Sequence, residues 1–265
     1  MKIERITIKD LDKLKHFNPD GWSDIIPKIE YYVKSDYCHP VKMFDENDIF
    51  AIGAAILYGN TGWIAHIIVN EKFRSQGYGT KIISYLCEYC KNKNCGTILL
   101  FTTDMGYPMY KKYGFITQTE FIRYEKTREI EYKPNANIRN IELNDHEKIY
   151  ELDKLAVCED RENILSQYIN DGFVYCQNNN ILGFYLTSLG EGLIIAVEEE
   201  AGLELAKLRI SNNKLATLPS ENIPGNKYFL ENDFKELQRL KKMTYGNEIN
   251  FNGKYIYNRI GGSFG

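Results

Sequence analysis

The 265-residue sequence predicts an α/β protein: mixed β-sheets flanked by helices, arranged as two tandem lobes. Three observations predict it. Short apolar runs alternate with helical stretches through the first half. A polar stretch holding Pro134, residues 129–137, then interrupts the pattern. Beyond it the same rhythm restarts.

Taken in order, residues 2–8 read as a strand and residues 11–17 and 22–34 as helices. Residues 41–45 and 49–58 are apolar strands separated by Glu46-Asn47-Asp48, a turn signal. Asn60-Thr61-Gly62 turns the chain into a strand over 63–69. Ile82, Ile83, Leu86, Cys87 and Cys90 recur at helical spacing, predicting an amphipathic helix over 78–91. A buried strand (97–102), a short helix (107–113) and a closing strand (120–127) complete the order β-α-α-β-β-β-α-β-α-β. After the linker, strands are expected at 137–143, 173–176, 181–186 and 193–197, with helices at 146–156, 161–169 and 199–210. The expected domains are 1–130 and 136–265. A faint repeat relates them: Tyr110 to Phe115, followed by Phe121 and Tyr124, overlays Phe229 to Phe234, followed by Leu240 and Met243.

Composition excludes several classes. A net charge of −3 argues against a general nucleic-acid binder, which needs a positive field to neutralise phosphates. The most apolar stretch, 49–59, is far shorter than the ~20 residues of a membrane span, and the N-terminus has no signal-peptide core, so a cytoplasmic address is expected. Cys87 and Cys90 form a C-x-x-C, but inside a helical pattern and without a second pair at zinc spacing. They read as reduced core cysteines, and no metal is expected. The 20 tyrosines point to no ligand by number alone.

The sharpest signal runs from Val69 through Arg74, Ser75, Gln76, Gly77, Tyr78, Gly79 and Thr80, between an apolar strand and an amphipathic helix. Such a turn presents free backbone N–H groups at the positive end of the helix dipole, a site for phosphate or pyrophosphate. Gly77 and Gly79 allow close backbone approach, and Arg74 adds a guanidinium suited to phosphate oxygens. The dinucleotide pattern G-x-G-x-x-G fails at its last glycine, and the Lys-Ser/Thr of a P-loop is absent.

Arg74-x-x-Gly77-x-Gly79 resembles the coenzyme A pyrophosphate loop of the GNAT N-acetyltransferase superfamily. Tyr110-Lys-Lys-Tyr-Gly114-Phe115 resembles that superfamily's second hallmark, a tyrosine four residues before Gly-Phe. The likeness covers roughly residues 1–127. It implies transfer of an acetyl group from acetyl-CoA to a primary amine. Backbone near Ile67, Ile68 and Val69 would hold the pantetheine arm, Arg74 to Thr80 the pyrophosphate, and Tyr110 would protonate the leaving thiolate. His66 is the nearby candidate base, with Asp45, Glu46 or a water as alternatives. The competing reading is a non-catalytic acyl-CoA sensor or interaction module. The second half reads as a degenerate copy, because Glu198-Glu199-Glu200 stands where the anion loop is expected and Phe229 stands in the place of Tyr110. A monomer or homodimer is expected.

Overall fold

The computed structural model describes residues 1–19 and 21–265. The first lobe runs β1 (Lys2–Arg5), α1 (Leu11–Leu14), α2 (Ile26–Lys34), β2 (Cys38–Phe44), β3 (Ile49–Tyr58), β4 (Thr61–Val69), α3 (Tyr78–Asn92), β5 (Thr97–Thr102), α4 (Tyr107–Tyr113) and β6 (Ile116–Lys126). The second runs β7 (Ile138–Asn140), α5 (His146–Val157), α6 (Glu162–Leu165), β8 (Gly172–Gln177), β9 (Asn180–Leu186), β10 (Leu193–Ala196), α7 (Glu199–Asn212), β11 (Leu215–Pro219), α8 (Ile223–Glu231), β12 (Phe234–Gly246) and β13 (Ile256–Asn258).

Two helices differ from expectation. The one expected over 22–34 begins only at Ile26. Asn18 folds back on the preceding loop, accepting from Ile25 N–H and donating to the Trp22 carbonyl, and Pro27 sits in the first helical turn, where its missing N–H costs nothing. The helix expected over 161–169 shrinks to Glu162–Leu165 followed by turns.

The strands form two sheets, ordered β1-β2-β3-β4-β5-β12-β6-β11 and β13-β10-β9-β8-β7. Chain order and sheet membership therefore part company at the 130–136 boundary. β12 inserts between β5 and β6, and β6 pairs with β11. Each lobe sends its longest strand, β6 or β12, to the strand that precedes the other lobe's longest one. The repeat is visible at these entries: Gly114 (φ 114°) precedes Phe115 and Asp233 (φ 61°) precedes Phe234, both in the left-handed conformation that ends a helix.

Alternating side chains give the large sheet two packed faces. On one face Ile64, Ile98 and Leu100 meet Ile82, Ile83 and Leu86 of α3, together with Tyr110 and Phe115. The expected core face of α3 is therefore observed, with Cys87 and Cys90 inside it. On the other face Trp63, Ala65 and Leu99 share a core with Ile29 and Tyr32 of α2 and with Leu152, Ile164 and Phe184 of the second lobe. The lobes are joined by both a core and a continuous ladder.

Candidate active site

The turn from β4 into α3 presents backbone N–H groups that no other group engages among the described residues. Ser75 (φ 62°) and Gly77 (φ 82°) both take the left-handed conformation, curling the backbone into a concavity of N–H groups. Among the described residues, none accepts a hydrogen bond from the backbone N–H of Ser75 through Thr80. A Cβ on Gly77 would meet nothing within 4 Å, so the space in front of the turn is open. Gly79 has a different reason to be glycine, since a Cβ there would press on Met109 Sδ of α4 at 3.0 Å. Arg74 is at the rim, exposed and paired with Glu71 at 3.0 Å.

The second feature is a gap in the sheet. β4 and β5 pair in parallel only from Thr61↔Thr97 to Trp63↔Leu99, after which the ladder stops while both strands continue. On its far side β5 stays paired with β12 through Thr102. β4 also carries a bulge: its register with β3 steps from Ala54↔Ala65 to Ile52↔Ile68, so His66 and Ile67 together oppose Gly53. His66 takes φ 51°, and Ile67 turns toward α3, where a Cβ on Gly53 would lie 2.7 Å from its Cδ1. From Ile64 to Val69, β4 thus has backbone groups with no strand partner on the β5 side.

Two titratable side chains lie on opposite faces of the large sheet. Tyr110 is 8% exposed on the α3 face, edge-on to Phe115, and burial holds its phenol well above its ordinary pKa. His66 lies on the α2 face, with Nδ1 3.0 Å from Tyr32 Oη and its ring edge-on to Tyr32 and Trp22. Burial, helped by the charge of Lys28, lowers its pKa from 6.5 to about 4. The phenol therefore keeps its proton and the imidazole stays neutral through the physiological range. Asp45 instead caps its own hairpin, accepting from the N–H of Asn47 and Asp48 at 3.0 Å each, and Glu46 shares that hairpin tip.

Residues 7–115 match the model of the acetyltransferase (GNAT) family. That match lies within the N-terminal lobe. Across the whole chain, the GNAT fold is shared with a protein of Pyrococcus horikoshii named a candidate acetyltransferase, at TM-score 0.82 and 20% identity over 100% of this chain and 95% of that one. A GCN5-related N-acetyltransferase from Sphaerobacter thermophilus follows at TM-score 0.66 and 12% identity, covering 94% and 98%. In sequence, 54 residues are 33% identical to a glucosamine 6-phosphate N-acetyltransferase of Trypanosoma brucei brucei, over 20% of this chain. A further 75-residue match, at 29% identity over 28% of this chain, is to the uncharacterized N-acetyltransferase YobR of Bacillus subtilis. The matches span 37% and 30% of those relatives' own lengths.

In the second lobe the corresponding gap is filled from within. β10 and β11, the counterparts of β4 and β5, do not pair. β13 lies against β10, while Arg259 N–H donates to Thr217 O and Thr217 N–H to Asn258 Oδ1. Tyr257 lies on Gly202 at the start of α7, so closely that a Cβ there would be 2.1 Å from its ring. Glu199 and Glu200 occupy the first turn of α7, and Phe229 is buried against Tyr124. The sequence shows the acidic helix start but gives no sign that β13 occupies this gap. Sequence reading also missed Tyr32, Trp22 and Lys28 around His66, because an apolar helix face gives no sign of what it covers.

Proposed function

We propose that the chain transfers an acetyl group from acetyl-CoA to a primary amine, with both substrates meeting in the β4–β5 gap. The observation that carries this reading is the pairing of a protonated phenol and a neutral imidazole on opposite faces of one sheet. Environments that set two groups apart in this way support reading Tyr110 as the acid and His66 as the base. The residues also fit coenzyme A: the Ser75–Thr80 amides would hold the pyrophosphate, and the unpaired edge of β4 over Ile67, Ile68 and Val69 would hold the pantetheine amides. The thioester supplies an activated carbonyl and a thiol leaving group.

The chain's own groups divide the remaining work. A β4 N–H beside the bulge would donate to the carbonyl oxygen as charge develops there. His66, on the α2 face, would take the amine proton through Nε2, its Nδ1 being held by Tyr32. Tyr110, on the α3 face, would deliver a proton to the departing sulfur. Both shifts have a cost, since an imidazole near 4 is a weak base and a raised phenol a weak acid, so each acts only when reactant charge is next to it. Free-thiol release in an amine library with acetyl-CoA tests the reading. Coenzyme A binding without thiol release from any amine would favour a sensor instead.

A further inference from the structure

Where the two lobes meet, on the His66 face and at the root of the gap, the walls enclose a cavity of about 10 Å3. Trp63, Phe101, Phe121 and Phe251 form its aromatic lining, and Glu159, Arg161, Lys242 and Arg259 its charged one. Trp63 also stands on the last rung of the β4–β5 ladder. The volume holds about one water-sized group.

The polar walls are incompletely satisfied. Lys242 is 1% exposed, yet among the described residues no carboxylate lies within 4.0 Å of its ammonium, which sits 3.6 Å over the ring centre of Phe251 and 5.5 Å over that of Trp63. Arg259 is 4% exposed, pairs with Glu191 through Nε and Nη2, and leaves Nη1 without a partner. Glu159 is 2% exposed and accepts from Trp63 Nε1 (2.6 Å) and Thr61 (3.1 Å) through Oε2, leaving Oε1 bare. By contrast, Arg161 is fully engaged by Asp153 in the same region. Buried donors without partners are costly, and aromatic faces compensate a cation only in part.

We infer that this cavity is an acceptor subsite, taking the anionic oxygen of a small amine that also carries a carboxylate or phosphate group. The inference rests on the acetyltransfer reading and names its substrate class. The Lys242 ammonium and Arg259 Nη1 supply charged donors, and Glu159 Oε1 accepts from an N–H or O–H beside the anion. The size admits only the end of the ligand, leaving its amine on the His66 side. Lys242 also keeps most of its charge at neutral pH, its pKa being lowered by burial only to about 8.

Matched probes test this on the full chain: glycine against glycinamide for a carboxylate, and O-phosphoethanolamine against ethanolamine for a phosphate. The expected result is a kcat/KM preference of about ten- to a hundred-fold for the anionic member of one pair, the range of a charged hydrogen bond. Lys242→Met should bring the two members of that pair level. Equal rates within both pairs, or a Lys242→Met loss shared equally by both members, would overturn the inference. If no probe is acetylated, calorimetry on the coenzyme A-saturated protein decides. Tighter binding of an anionic probe that Lys242→Met removes supports the subsite, and indifference to charge refutes it. Failure of coenzyme A to bind at all is a separate outcome that sinks the acetyltransfer reading itself.

Discussion

Lys242→Met makes a prediction about stability as well as binding. An ammonium buried without a close counter-ion opposes folding, whereas methionine has similar length and no charge. The lysine pKa falls from 10.5 to about 8 in the folded protein, so folding expels a proton between those values. A base whose folded pKa is depressed destabilises most below that pKa, and the penalty fades as pH rises toward the unfolded value. The gap of about 2.5 units corresponds to roughly 3 kcal/mol below pH 8. Removing the cation also strips Glu159 of a favourable charge, so a net gain of about 1–2 kcal/mol near pH 7 is expected, as for other buried ions replaced by apolar groups. For a chain of this size that is a rise in Tm of roughly 2–8 °C. Differential scanning calorimetry at pH 7 and pH 10.5 measures it, and the advantage should be largely gone at the higher value. A variant that melts lower than the parent at pH 7 would show that Lys242 contributes to stability, and a gain indifferent to pH would show that its charge is not the cause; either result refutes the argument.

Other outcomes are expected. Tyr110→Phe keeps the buried ring and should leave coenzyme A affinity near the parental value while lowering kcat on the order of 10²–10⁴-fold; a parental kcat would remove Tyr110 from the mechanism, and an effect on KM alone would make it a binding group. Gly77→Val adds carbon to open space in the free protein, so the fold should survive a local backbone strain of about 1–2 kcal/mol. Its coenzyme A affinity, read by calorimetry, should fall on the order of 100-fold or more, because several charge-assisted hydrogen bonds are blocked together; unchanged affinity would exclude the turn as the anion site. The same titration on the parent should give one coenzyme A per chain, and two would mean that β13 leaves the second lobe's gap open.

Much of the first lobe was legible because its signals are local. The turn from β4 into α3 is written in consecutive residues, and the core face of α3 in a helical period. The exchange of β6 and β12 was not legible. β12 reads Phe-Lys-Glu-Leu-Gln-Arg-Leu-Lys-Lys-Met, and five consecutive residues from Lys235 to Arg239 are exposed, so neither apolar alternation nor an apolar run marks it. Lys242 was hidden for the same reason: next to Lys241 it looks like one more solvated charge, and only its place opposite Phe101 buries it. The direction of His66 was equally out of reach, because the bulge breaks the two-residue alternation on which any such reading depends.

The exchange also constrains how the protein can be made. β5, one wall of the reactive gap, receives its other neighbour only when residues 241–246 arrive. During synthesis the first lobe therefore waits with a bare strand edge until residues 241–246 have emerged, and such edges invite pairing with other molecules. Contacts so distant in sequence also slow folding, because loop closure precedes the reward. A fragment ending near residue 130 keeps every residue of the β4–α3 turn and both His66 and Tyr110, yet lacks the strand that holds β5 in place. The second lobe is thus part of the first one's scaffold.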